Sequence, residues 1–177
     1  MALLAEEIVE EWLNRQGYFT IRGIKMGVQE MDLLAIKKDP TGQVECRHIE
    51  VQASMRPVSY ISRVPKSEQK LGRAANSARR SNEDILTGVA EWVEKKFHRK
   101  DKKELMRKLW DGAWSSELVI NVVKSDEEVN LIAAHGVNII QLSQIVAELN
   151  IEKFIINSAS GADFIDLIHM GAKSKSC

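Results

Sequence analysis

The chain has 177 residues, 25 basic against 25 acidic side chains and an ordinary apolar share of 44%. That length suffices for one sizeable core, and no apolar run approaches the roughly 20 residues of a membrane-spanning helix. The N-terminus turns acidic at Glu6 and Glu7 with no basic stretch before it, so a secretory leader is not expected. Two cysteines, Cys46 and Cys177, make no disulfide framework. The expectation is a cytoplasmic protein with no membrane partner.

The elements follow from hydrophobic spacing. Leu4, Ala5, Ile8, Val9, Trp12 and Leu13 share one helical face, which predicts a helix over residues 3–16 that Gly17 ends. Strands are expected over 18–25, 31–37 and 44–53, the last two joined by a turn at Asp39-Pro40-Thr41-Gly42. Residues 66–80 read as a helix whose Gly72, Ala74, Ala75 and Ala78 allow close packing. Two further helices are expected over 85–96 and 102–110. A buried strand over 117–124 follows, then a helix over 126–135 with Ser125 as N-cap. A strand over 137–142 and helices over 143–149 and 154–170 complete the chain. The order implies an α/β fold, a mixed sheet with helices on both faces. No repeat divides the chain, so residues 1–177 are taken as a single domain.

Charge is unevenly spread. Residues 1–55 carry six basic and nine acidic side chains. Residues 56–80 carry Arg56, Arg63, Lys66, Lys70, Arg73, Arg79 and Arg80 against Glu68 alone. Residues 91–111 hold a further excess of three positive charges. A basic track just downstream of an acidic cluster suits a phosphate backbone, so DNA is the expected partner, with the 56–80 cations as its contacts.

The acidic cluster lies on neighbouring strands. Residues two apart on a strand share a face, so Glu30 and Asp32 point one way and Met31 and Leu33 the other. Glu50 and Gln52 likewise share a face, with His48 beside them. Two adjacent carboxylates repel unless a cation lies between them, and hard oxygen donors suit Mg²⁺ or Mn²⁺.

Ala5-Glu6 before Gly17-Tyr18, then Glu30-Met31-Asp32-Leu33-Leu34-Ala35, then Glu50-Val51-Gln52, then Leu71-Gly72-Arg73 with Arg79-Arg80, resemble in order the motifs of the PD-(D/E)XK nuclease superfamily. The likeness is to its archaeal Holliday-junction resolvases and covers roughly residues 5–80. It implies a restriction-endonuclease-like fold in which residues 81–116 are a helical insertion, serving as a lid, a DNA arm or a homodimer contact. It also implies that Asp32, Glu50 and the Val51 carbonyl hold Mg²⁺ or Mn²⁺, and that Glu6 reaches the metal through water. The activity implied is endonucleolytic hydrolysis of double-stranded or branched DNA, with Glu6, Asp32, Glu50 and Gln52 as catalytic residues. Gln52 stands where the family has Lys, and it carries no charge. Three consequences stay open: a second cation replaces the lysine, Lys66 or Lys70 reaches in from the next helix, or the module is catalytically inactive and binds nucleic acid or a protein partner.

Overall fold

A computed structural model describes residues 2–54, 56–151 and 154–156 of the chain. The helix expected over 154–170, and Cys177, lie largely outside them.

Helix α1 (Ala2–Arg15) leads into an antiparallel meander of β1 (Phe19–Met26), β2 (Gln29–Lys38) and β3 (Val44–Gln52). The turn between β2 and β3 is held by the Asp39 carboxylate, which accepts from Thr41 Oγ1 and the Gln43 amide at 2.7 and 2.8 Å. Then come α2 (Lys66–Lys70), α3 (Asn82–Val93), a π-helical turn (Glu94–His98) and α4 (Lys100–Leu109). Strand β4 (Trp114–Ile120) lies parallel to β3, α5 (Asp126–Ala134) follows, and β5 (Val137–Gln141) lies parallel to β4 before α6 (Leu142–Ile151). The result is an α/β fold with one open mixed sheet in the order β1-β2-β3-β4-β5. Central β3 has an antiparallel neighbour on one side and a parallel neighbour on the other.

Alternation along the strands divides the core. Leu33, Ile49, Val51 and Val119 pack under α1 and α6, with Val9, Leu13 and Ile145 fully buried between them. Leu118, Ile120 and Val137 face the other way, against Ile85, Val89 and Val93 of α3 and Ile132 of α5. Met106 of α4 closes a third cluster over Met31 and Leu34. Residues 82–98 and 100–109 are helical, and they are not peripheral. A parallel β3–β4 pair requires a crossover of a dozen or more residues, and α3 packs with α5 on one face of the sheet while α4 closes the neighbouring cluster.

The segment expected as a helix over 66–80 is helical only to Lys70. Gly72, at φ +94°, turns the chain out of the helix, and the Glu68 carbonyl accepts from both Leu71 and Arg73 amides. The alanines beyond it have no helix to pack against. The loop is instead tied by side chains. Arg73 bridges Asp84 at 2.9 Å and Glu68 at 3.2 Å, and also donates to the Arg79 carbonyl. Asp84 completes a capping box with Ser81 at the start of α3.

The preceding loop is fixed by one buried acid. Glu128, completely inaccessible, accepts from the amides of Ile61 and Ser62 at 2.6 and 2.9 Å and from Ser62 Oγ at 2.5 Å. Gly88 lets α3 approach this loop, because a Cβ there would stand 2.6 Å from the Arg63 carbonyl oxygen. Replacing Glu128 by Ala strands several donors in the interior, each worth about 1–3 kcal/mol when unsatisfied. We expect Glu128→Ala to lose at least about 3 kcal/mol in urea denaturation, with Ser125→Ala, which removes only an N-cap, losing about 1 kcal/mol.

Candidate functional site

The site forms where β2 leaves β3. Their pairing runs from Lys38–Val44 to Leu33–Ile49 and stops, while β2 stays paired with β1 as far as Gln29. Two residues beyond Ile49 on β3 stands Val51, and its amide donates to Asp32 Oδ2 at 2.7 Å. A side chain therefore replaces a ladder bond, and the Asp32 carboxylate is wedged at the fork. Regular alternation fails there too: Met31 packs with Leu34 and Met106, whereas Leu33 packs beneath α1. The opposition of Met31 and Leu33 to Glu30 and Asp32 expected from a regular strand is thus not kept.

Glu50 is fully buried. One of its oxygens, Oε1, accepts from Lys102 Nζ at 2.8 Å and from His48 Nε2 at 3.3 Å, and the other is bonded by the Lys96 ammonium. Lys102 is itself nearly inaccessible, and its three protons are used by Glu50 Oε1, the Glu30 carbonyl at 3.1 Å and the Lys96 carbonyl at 2.8 Å. Burial alone would raise the Glu50 pKa, but the His48 hydrogen bond and the two ammonium groups outweigh it and hold it down to about 2. Burial lowers the His48 pKa against the raising effect of Glu50, and toward an ionised carboxylate its Nε2 is the donor. Its Nδ1 is buried with no partner among the described residues.

Asp32 behaves oppositely. Burial, then the nearby Glu50 charge, pushes its pKa up to about 7, against the lowering effects of Lys96 and the Val51 amide. Glu6 on α1 is raised by burial and by Glu30 and Glu50. Glu6 thus feels Glu30 and Glu50, and Asp32 feels Glu50 and Glu6, at one end of the sheet.

The basic residues separate into two groups. Arg73 and Arg80, expected to touch DNA, are committed within the fold. Arg80 stacks on Tyr60 at 4.1 Å and donates to Ser62 and Ser77 oxygens. Arg56, Arg63, Lys66, Lys70 and Arg79 are exposed. Gln52 and Lys96 line one cavity, together with Arg63, Lys66 and Lys95, whereas Lys70 stays outside it. The lysines that reach the carboxylates are therefore Lys96 and Lys102, not Lys66 or Lys70. Lys96 and Lys102 escaped the sequence reading, although Lys102 carried a signal. It lies at helical spacing with Leu105, Met106 and Leu109, on what is otherwise the apolar side of α4.

An ion would meet only oxygen donors from the acids and the Val51 carbonyl, a set that suits Mg²⁺ or Mn²⁺ held by one or two carboxylates and water. Among the described residues, no three His, Cys, Asp or Glu side chains already form a cage for an ion. Glu50 is open to one only if Lys96 gives way.

No family model and no curated protein matches the chain. Among solved structures, one similar in outline is the crystal structure of a protein of unknown function, AF1548, at 14% identity and a TM-score of 0.43. The match covers 81% of this chain and 59% of that protein's. No helix among the described residues is long and apolar enough to cross a membrane.

The raised Asp32 pKa has a definite consequence for stability. Between the unfolded value near 3.8 and about 7 the folded state holds the extra proton, so stability falls as pH rises through that window. Asn keeps an acceptor for the Val51 amide without the charge. We expect Asp32→Asn to be more stable than wild type at pH 8, by at most about 4 kcal/mol, and the gain to vanish below about pH 4. Denaturation curves at the two pH values check both signs.

Proposed function

We propose that the protein is a metal-dependent endonuclease of the PD-(D/E)XK kind acting on DNA, with Lys96 supplying the charge that Gln52 lacks. The observation that carries this reading is the arrival of a lysine from the π-helical turn at Glu50, two residues before Gln52. In the resembled family the motif lysine stands on the strand itself. Here the strand ends in Gln52, and Lys96 enters the same corner from above, lining one cavity with it.

Asp32, Glu50 and the Val51 carbonyl would hold the Mg²⁺ or Mn²⁺, which when bound would polarise the scissile phosphate and activate a water. The chain's own groups supply the rest. Lys96, about one-fifth exposed, would turn its ammonium toward a phosphate oxygen and stabilise charge developing there. Gln52 would orient the attacking water through its amide. Lys102, its three protons already bound, would keep Glu50 ionised and fixed while Lys96 moves. Arg63, Lys66 and Lys95 would take a phosphate group of the strand.

A second reading is favoured by one observation. Both Glu50 oxygens are already bonded by ammonium groups, so the carboxylate needs no metal to be neutralised. A nuclease-fold module that binds nucleic acid or a protein partner without cutting would look the same.

Linear, nicked and four-way-junction DNA with Mg²⁺ or Mn²⁺ separate the two. We expect cleavage by wild type, none by Asp32→Asn with DNA binding retained, and a loss of about 10²–10³ in rate for Lys96→Ala, the scale of one removed transition-state donor. Gln52→Lys in the Lys96→Ala background should recover part of that loss. Cleavage surviving Asp32→Asn rejects the site, and no cleavage of any substrate by wild type leaves the binding module.

A further inference from the structure

Beside Gln52 the sheet end opens into a cavity of about 420 Å³. Arg63 from the loop, Lys66 at the start of α2, and Lys95 and Lys96 from the π-helical turn line it, with Glu91 of α3 as the acid among them. Glu91 is engaged locally, accepting from the Lys66 amide at 3.1 Å. Lys96 is spent on Glu50. Arg63, Lys66 and Lys95 have no ion-pair partner among the described residues. Burial lowers the Lys95 pKa, and Arg63, Lys96, Lys66 and Arg99 lower it further. Cations gathered this way repel one another, so the empty arrangement is costly and an anion between them relieves it.

The walls are fixed before any ligand arrives. The loop bearing Arg63 is anchored next door by Glu128 through Ile61 and Ser62, and Gly88 brings α3 against the Arg63 carbonyl. Gln69, which donates to the Val64 carbonyl at 2.5 Å, holds α2 to the same loop. A guanidinium fork and two ammonium groups converging from three directions suit a compact group with several charged oxygens. A phosphodiester along a strand offers one charge, whereas a phosphomonoester offers close to two.

We propose that this cavity is a binding site for a phosphomonoester dianion, presented by the terminal phosphate of a nucleic-acid strand or by a free nucleotide. The phosphate site stands on the cation cluster alone, while its use to seat a strand end next to Gln52 and Lys96 rests on the nuclease reading.

Titration calorimetry at pH 8 and low salt, without divalent metal, tests it. The probes are inorganic phosphate, a nucleoside 5′-monophosphate, and one oligonucleotide sequence ending in phosphate or in hydroxyl. We expect wild type to bind inorganic phosphate and the Arg63→Ala/Lys95→Ala variant to lose that binding about tenfold or more, the scale of one charge-assisted hydrogen bond. Both side chains are exposed and unpaired in the fold, so an unchanged thermal midpoint in this variant serves as the folding check. A terminal phosphate that tightens the oligonucleotide at least about tenfold, with the difference abolished in the variant, assigns the strand end. Binding of the mononucleotide with no such preference assigns the free nucleotide. Absence of phosphate binding in wild type, or equal binding in the variant, overturns the proposal. Phosphate binding without any DNA cleavage would sink the nuclease reading and leave the cavity standing, and cleavage without phosphate binding would do the reverse.

Discussion

Glu50 is an ionised carboxylate with no access to solvent, and the site is organised around keeping it so. An isolated buried charge costs many kcal/mol, so it must be matched by opposite charge and hydrogen bonds. The match comes from two lysines and a histidine: His48 on the same strand, Lys96 from the π-helical turn, and Lys102 from α4. Lys102 is nearly inaccessible to solvent, and its remaining protons go to the Glu30 and Lys96 carbonyls. One side chain thus joins β2, β3, the π-helical turn and α4. The crossover between β3 and β4 is pinned to the sheet at this point.

The fork between β2 and β3 lies at the same corner. The β2 residues before Leu33 are not paired with β3, and Asp32 takes the amide of Val51. Glu50 and Asp32 then differ in kind. The first has more cationic partners than it can neutralise, the second fewer than its burial demands, and their pKa values move to about 2 and about 7. Two carboxylates pushed in opposite directions a strand apart are an arrangement that stability does not require, which is why the corner reads as a place for chemistry or for an anion.

The β1–β3 part of the sheet was legible because its strands are joined by short turns. The Asp39–Gly42 turn fixes the β2–β3 register, which sets Asp32 and Glu50 on adjoining strands at one end of the sheet. The helices α1 and α5 were marked by their apolar spacing and by Ser125. The lysines were not legible, because they meet Glu50 across 46 and 52 residues of sequence through a π-helical turn that no spacing announces. Lys102 on an apolar helical face was a visible hint of a buried partner. The basic stretch over 56–80 misled in the opposite way. Charge counting records positive residues but not their partners, and Arg73 and Arg80 are used to tie a loop to Asp84, Ser62 and Tyr60. The helix expected through Gly72 failed for a related reason: small residues permit close packing only where something packs.

The central claim is that Glu50 is held ionised by two lysines while Asp32 is not. Carbon-13 NMR of the carboxyl groups, titrated in the metal-free protein, measures both directly. The account predicts that Glu50 keeps its carboxylate shift down to about pH 2 and that Asp32 titrates near pH 7. A Glu50 that titrates in the ordinary glutamate range, or an Asp32 already ionised at pH 5, would contradict it.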